Sequence, residues 1–185
     1  MRKILKMLII VGILIALVVF VYFMYGLFFS AKTVSSGGVL INPIAQIILN
    51  NMDNSGNLNR EQIIKDALPG FNEDYINYIL ISLGVGNLHR SPLTFENPRI
   101  EIDVGEIWSS EIVDGGLKTS KRTIENPDVI FKMTREEAIE ALMSENIKKF
   151  MKDSVVSGRT EIEMIAGKTT LYSKGYLKLY EDLKS

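Results

Sequence analysis

The chain has no cysteine and a single histidine, His89. The first absence excludes disulfides, thiolate nucleophiles, iron–sulfur clusters and cysteine-based zinc sites. The second excludes any multi-histidine metal site and leaves a Ser-His-Asp arrangement open only through His89. Concentrated positive charge is missing too. The 21 Lys+Arg are balanced by 22 Asp+Glu, and basic residues gather only in pairs such as Lys121-Arg122 and Lys148-Lys149. A nucleic-acid partner needs a dense basic face, so no nucleic-acid partner is expected. Phosphate-cradling loops are absent as well. Gly84-Val85-Gly86 has His89 where a dinucleotide fingerprint needs its third glycine. Gly167-Lys168-Thr169 has Ile162 where a P-loop needs its first.

What the sequence does have is one long apolar run. Met7 to Ala31 is 25 consecutive uncharged positions, preceded by Arg2, Lys3 and Lys6. About 20 apolar residues suffice to cross a bilayer, and a signal-peptide core runs only about 7–15. The run predicts a single N-terminal transmembrane helix. The basic residues before it place the N-terminus in the cytoplasm and the C-terminal domain outside. The mean hydropathy of +0.14 comes mainly from this segment. Residues 32–185 hold 18 basic and 22 acidic side chains, a mildly acidic remainder. Ser35-Ser36-Gly37-Gly38 makes 32–39 a flexible linker.

Residues 40–95 read as helical. Leu40, Ile41, Ile44, Ile47 and Ile48 recur at helical spacing, and Asn72 caps a further helix that Gly84 and Gly86 end. Between them, Asn51 to Gln62 resembles a twelve-residue EF-hand or dockerin-type calcium loop. Asn51, Asp53 and Ser55 stand at positions 1, 3 and 5, Gly56 at the turn, Leu58 at position 8 and Gln62 at position 12. Calcium sites want several anionic oxygens and a bidentate glutamate at position 12. Here only Asp53 is anionic, so a helix–loop–helix without metal is expected. A weak Ca2+ site on Asn51, Asp53, Ser55 and Gln62 is the alternative.

From Pro98 the period changes to two. Ile100, Ile102 and Val104 alternate with charged residues. Strands are expected at 106–113, 117–124 and 128–133, with a hairpin turn at Asp114-Gly115-Gly116. Thr134 with Glu137 forms a capping box for a helix. A second helix is expected over 146–155, then a strand over 160–165 and a last helix over 169–183. The expected fold is α+β: an antiparallel five-stranded sheet packed with helices in the order β-β-β-β-α-α-β-α, behind the transmembrane helix.

Pro127-Asp-Val-Ile-Phe-Lys-Met133 running into the Thr134 helix, then Phe150 to Gly158, then Arg159-Thr-Glu-Ile-Glu-Met164 and a closing helix, resembles the SCP-2-like (sterol carrier protein 2) lipid-transfer domain. The resemblance covers residues 98–183. It implies an apolar cavity between sheet and helices, lined by Phe131, Met133, Ile139, Leu142, Met143, Phe150, Met151, Met164, Leu171, Tyr172 and Tyr176. It also implies a lipid or apolar small molecule as ligand. No residue constellation points to catalysis or a cofactor: of the carboxylate pairs, Glu136-Glu137 opens a helix and Glu161/Glu163 points away from the core face of a strand. The same residues serve equally as an ordinary core. The first reading is therefore a membrane-anchored, non-catalytic binder of an apolar ligand, and the alternative is a protein-interaction module. A tunnel wider than an alkyl chain favours the first; a filled core with exposed apolar surface favours the second.

Overall fold

The computed structural model describes residues 40–113 and 116–184. Three helices come first: α1 (Ala45–Asn50), α2 (Arg60–Ala67) and α3 (Glu73–Leu83), with a tight 3-10 turn at Leu68–Gly70. Strands β1 (Arg99–Asp103), β2 (Ile107–Val113), β3 (Gly116–Ser120) and β4 (Val129–Lys132) come next. The chain then forms α4 (Arg135–Met143), α5 (Ile147–Val156), β5 (Glu161–Met164), α6 (Lys168–Lys174) and α7 (Tyr176–Lys184).

Local chemistry sets these boundaries. The Asn72 side chain accepts the Asp74 N–H and opens α3, while Gly84 closes it in the left-handed conformation at φ +91°. The Thr134 hydroxyl accepts the Glu137 N–H at 3.0 Å and opens α4. Asn146 does the same for α5 through the Lys149 N–H.

The five strands lie in the order β3-β2-β1-β4-β5. Alternation puts Ile100, Ile102, Val129 and Phe131 on one face of the sheet, where they are buried. Helix α3 supplies Ile76, Ile79, Leu80 and Leu83 to the same core. Helix α4 supplies Ile139 and Leu142, α5 supplies Met151, and α7 supplies Leu179 and Leu183. Residues 40–95 and 96–184 thus share one core. The opposite face carries Glu101, Asp103, Glu111 and Lys132, all half-buried.

Three expectations need correction. The sheet is mixed, because β4 pairs with β1 in parallel, Ile100 opposite Val129 and Asp103 opposite Lys132. The chain does not turn tightly from β3 into β4. Residues 121–128 recross the polar face, where the Ile124 N–H reaches Glu101 and Arg99 reaches the Glu125 carbonyl. The chain therefore re-enters beside β1 in β1's own direction. Second, the last helix is two helices, broken at Gly175 (φ +89°). Third, among the described residues no helix is long and apolar enough to cross a membrane. The longest, α3, has 11 residues, about 16 Å of helix, where a crossing needs about 20 residues. The span expected at 7–31 lies outside the described residues. The described helices do not support a single-pass protein with cytoplasmic N-terminus and outward domain. The Asp114-Gly115 part of the expected turn is also outside the described residues, although β2 and β3 do pair antiparallel with Val113 opposite Gly116.

Candidate functional site

The two parallel strands end side by side, and the segments that leave their carboxyl ends form a groove. After β1, Val104 and Gly105 turn the chain into β2. After β4, Met133 and Thr134 lead into α4, and the Met133 N–H donates to the Asp103 carbonyl at 3.0 Å. Leu68, from the 3-10 turn, approaches from the helical side. Leu68, Val104 and Met133 give the groove its apolar lining, and Thr134, Arg135 and Glu136 form its wall. The space is about 370 Å3 and open to solvent. The crevice beyond the carboxyl ends of parallel strands is where open α/β sheets bind their ligands. Gly105, at φ +80°, has nothing within 4 Å of where a Cβ would stand, so the lip is open there.

One rim of the groove is tied by charge. The Glu106 carboxylate accepts from Arg135 Nη2 at 2.9 Å and from Trp108 Nε1 at 3.1 Å, and pairs with Lys121. Lys121 also sits 5.9 Å over the Trp108 ring. The Lys121 hydrogen bond holds the Glu106 carboxyl below its ordinary value, against a burial penalty; Trp108 and the charge of Arg135 add to the lowering. A lowered carboxyl contributes stability above its unfolded pKa and loses it as pH falls through the folded one. Trp108 is the only tryptophan. Its fluorescence should therefore change in an acid step below the ordinary glutamate range that precedes global unfolding and is missing in Glu106→Gln. A trace identical in both proteins would refute this.

The residues expected to line a lipid cavity are scattered by comparison. Phe131, Ile139, Leu142, Met151, Leu171 and Tyr176 are buried, and Met133, Met143, Phe150 and Met164 are half-buried. Tyr172 is 71% exposed, on the solvent side of α6. Two apolar voids do lie between sheet and helices. One is bounded by α3, Ile102, Phe131 and Met133; the other by Val129, Phe131, Ile162, Met164 and α7. Each has about 10 Å3 of space. That is roughly the room one water needs, and an apolar void of this kind stays dry. Ligand pockets for drug-sized molecules run about 300–1,000 Å3. The Phe131 ring lines both voids.

The calcium-like loop is closed by its own hydrogen bonds. Asp53 accepts from the Ser55 and Asn57 N–H groups at 2.8 Å and from the Asn57 amide at 3.0 Å. These bonds, led by that amide, hold its carboxyl below the ordinary range. Asn51 and Gln62 both turn instead to Asp66, at 3.0 and 2.7 Å. Ser55 thus meets Asp53 through its backbone, and the four candidate ligands do not point at one centre. Among the described residues, no three acidic or histidine side chains converge as a metal site.

A buried polar node lies at the other end of β1 and β4. Asp128, 3% exposed, accepts Lys174 Nζ at 2.8 and 3.0 Å, the Tyr176 hydroxyl at 3.1 Å and the Arg99 N–H at 2.8 Å. Lys174 is 1% exposed. Burial, and then the Asp128 charge, push the Tyr176 phenol far above its ordinary range. Every polar atom here is satisfied and closed to solvent, which fits a structural clamp.

Sequence reasoning did not find Leu68, Val104, Gly105 and Arg135 as a set, because they come from three separate segments. The capping box at Thr134 was the available signal, since it fixes the helix start that makes the groove wall. No protein-family model and no curated protein sequence matches this chain.

Proposed function

We propose that this domain is a non-catalytic protein-interaction module that receives a partner in the groove at the carboxyl ends of β1 and β4. One observation carries the reading: among the described residues, the two voids between sheet and helices hold about 10 Å3 each, while the open groove offers about 370 Å3. A carrier needs its space inside; a docking module needs it outside. The groove suits a protrusion with an apolar tip, because its lining is apolar and its charged groups stand at the wall and rim. Polar groups at a rim with an apolar centre are the usual anatomy of a protein interface.

The apolar-ligand reading, with an SCP-2-like domain behind it, is the second one. It is favoured by the position of the two voids, which lie where that resemblance implies a cavity. Native mass spectrometry of the intact chain with added oleate or phosphatidylcholine separates the readings. The expected result is no stoichiometric adduct. An adduct of one lipid per chain that disappears in Leu142→Trp would put the ligand in the core and sink the interaction reading.

A further inference from the structure

The groove lies at one end of β1, and a rigid apolar knob lies at the other. Residues 91–96 form a closed turn before β1. The Ser91 hydroxyl, fully buried, accepts the Leu93 and Thr94 N–H groups at 3.2 and 3.1 Å and bonds the Ser173 hydroxyl at 2.9 Å. The Phe95 N–H donates to the Ser91 carbonyl at 2.9 Å, and the Ser91 N–H to that of Glu96 at 3.0 Å. Phe95 is held at φ +58°. A bulky side chain there is a true backbone outlier, and it persists only where the surroundings over-determine it. The result is counter to solvent preference: Leu93 is 56% and Phe95 66% exposed, on a turn with little freedom to hide them. Arg90 donates to the Phe95 carbonyl and lies 5.8 Å over its ring. Among the described residues, no acidic side chain is in ion-pair contact with Arg90.

The groove has the opposite character. It is a hollow with an apolar floor and a polar wall, where the knob is an exposed apolar pair. At its wall stands Glu136, exposed and without an ion pair among the described residues. Glu96 of the turn and Arg135 of the groove wall are already paired, with Lys174 and Glu106, which leaves Arg90 beside the knob to match Glu136 beside the groove. The two features cannot meet in one chain, because β1's five residues separate them by about 17 Å.

We propose that the groove receives the Leu93–Phe95 turn of a second copy of this chain, with Phe95 over Leu68 and Met133 and Arg90 facing Glu136. This rests on the interaction reading above and names its partner. Such a contact joins two different surfaces, so it is heterologous and propagates head to tail, into a ring or a filament.

The absence of cysteine gives a clean test. Full-length chains carrying Thr94→Cys and full-length chains carrying Glu136→Cys are mixed and mildly oxidised. Glu136→Cys removes the anion facing Arg90, an exposed pair worth little, so the cross-link reads the apolar contact of Leu93 and Phe95 alone. The disulfide-linked dimer should be several-fold more abundant in the mixture than with either variant alone. Adding Phe95→Asp or, separately, Leu93→Asp to the Thr94→Cys chain should lower it at least fivefold; both positions are exposed, so the fold is kept. Equal yields from all pairings, or a yield indifferent to both aspartates, would overturn the proposal. If the Glu136→Cys chain links instead to a different polypeptide, the second copy is the wrong occupant and the interaction reading stands. A one-to-one lipid adduct in the core would overturn that reading as well.

Discussion

Replacing Lys174 with methionine should cost about 3–5 kcal/mol of stability, because it leaves the Asp128 carboxylate buried without its counter-charge. The Tyr176 hydroxyl and the Arg99 N–H remain as donors, but neither carries charge. Glu96 cannot compensate; it is itself an acid, 3.8 Å from the ammonium and half exposed. For a chain of this size the loss corresponds to a fall in Tm of roughly 6–20 °C. Asp128→Asn alone should cost a comparable amount by stranding the ammonium. The double variant should be more stable than the sum of the two losses implies, since a buried pair replaced by groups of similar volume is often near neutral. Urea and thermal unfolding of the four proteins measure this coupling. A Lys174→Met protein within about 1 kcal/mol of the parent would show that water reaches the node and screens it.

Phe131→Ala should also cost about 3–5 kcal/mol, and it should do something the clamp variants do not. The ring lines both interior voids. Removing it should merge them into one dry apolar cavity large enough to take a small aromatic, as emptied cores do. Saturating benzene should then raise the Tm of Phe131→Ala and leave that of the parent unchanged. A loss below about 1.5 kcal/mol with no benzene effect would mean that α3 and α7 collapse into the space. A parent protein stabilised by benzene would mean the interior is already roomier than two water-sized voids.

What could be read from the sequence divides by range. Helix starts at Asn59, Asn72, Thr134 and Asn146 depend on a side chain meeting an N–H two or three residues away, and they are legible residue by residue. The alternation of Ile100 and Ile102 with charged neighbours is equally local. The parallel pairing of β1 and β4 is not, since nothing within either strand records which neighbour it will have. Tyr172 and Tyr176 show the limit within one helix. Four residues apart, they should share a face. The break at Gly175 separates them, leaving Tyr176 1% exposed and Tyr172 71%. The break is imposed from outside the helix. Lys174 must turn inward to Asp128, and a Cβ at Gly175 would stand 3.4 Å from the Asn87 carbonyl and the His89 ring. The groove was illegible for the same reason as the sheet order: three distant segments make it.

The node at Asp128 also sets a schedule for biosynthesis. Its ammonium partner is encoded 46 residues later. At about 5–20 residues per second, the ribosome takes roughly 2–9 seconds to supply it. During that interval β1 and β4 have been made, but their buried acid has no counter-ion and cannot be enclosed. The sheet must wait, open at that end, until Lys174 and Tyr176 emerge. A nascent chain of this length is therefore expected to expose Val129 and Phe131 to chaperones for seconds, and to close in a single late step when α6 and α7 arrive.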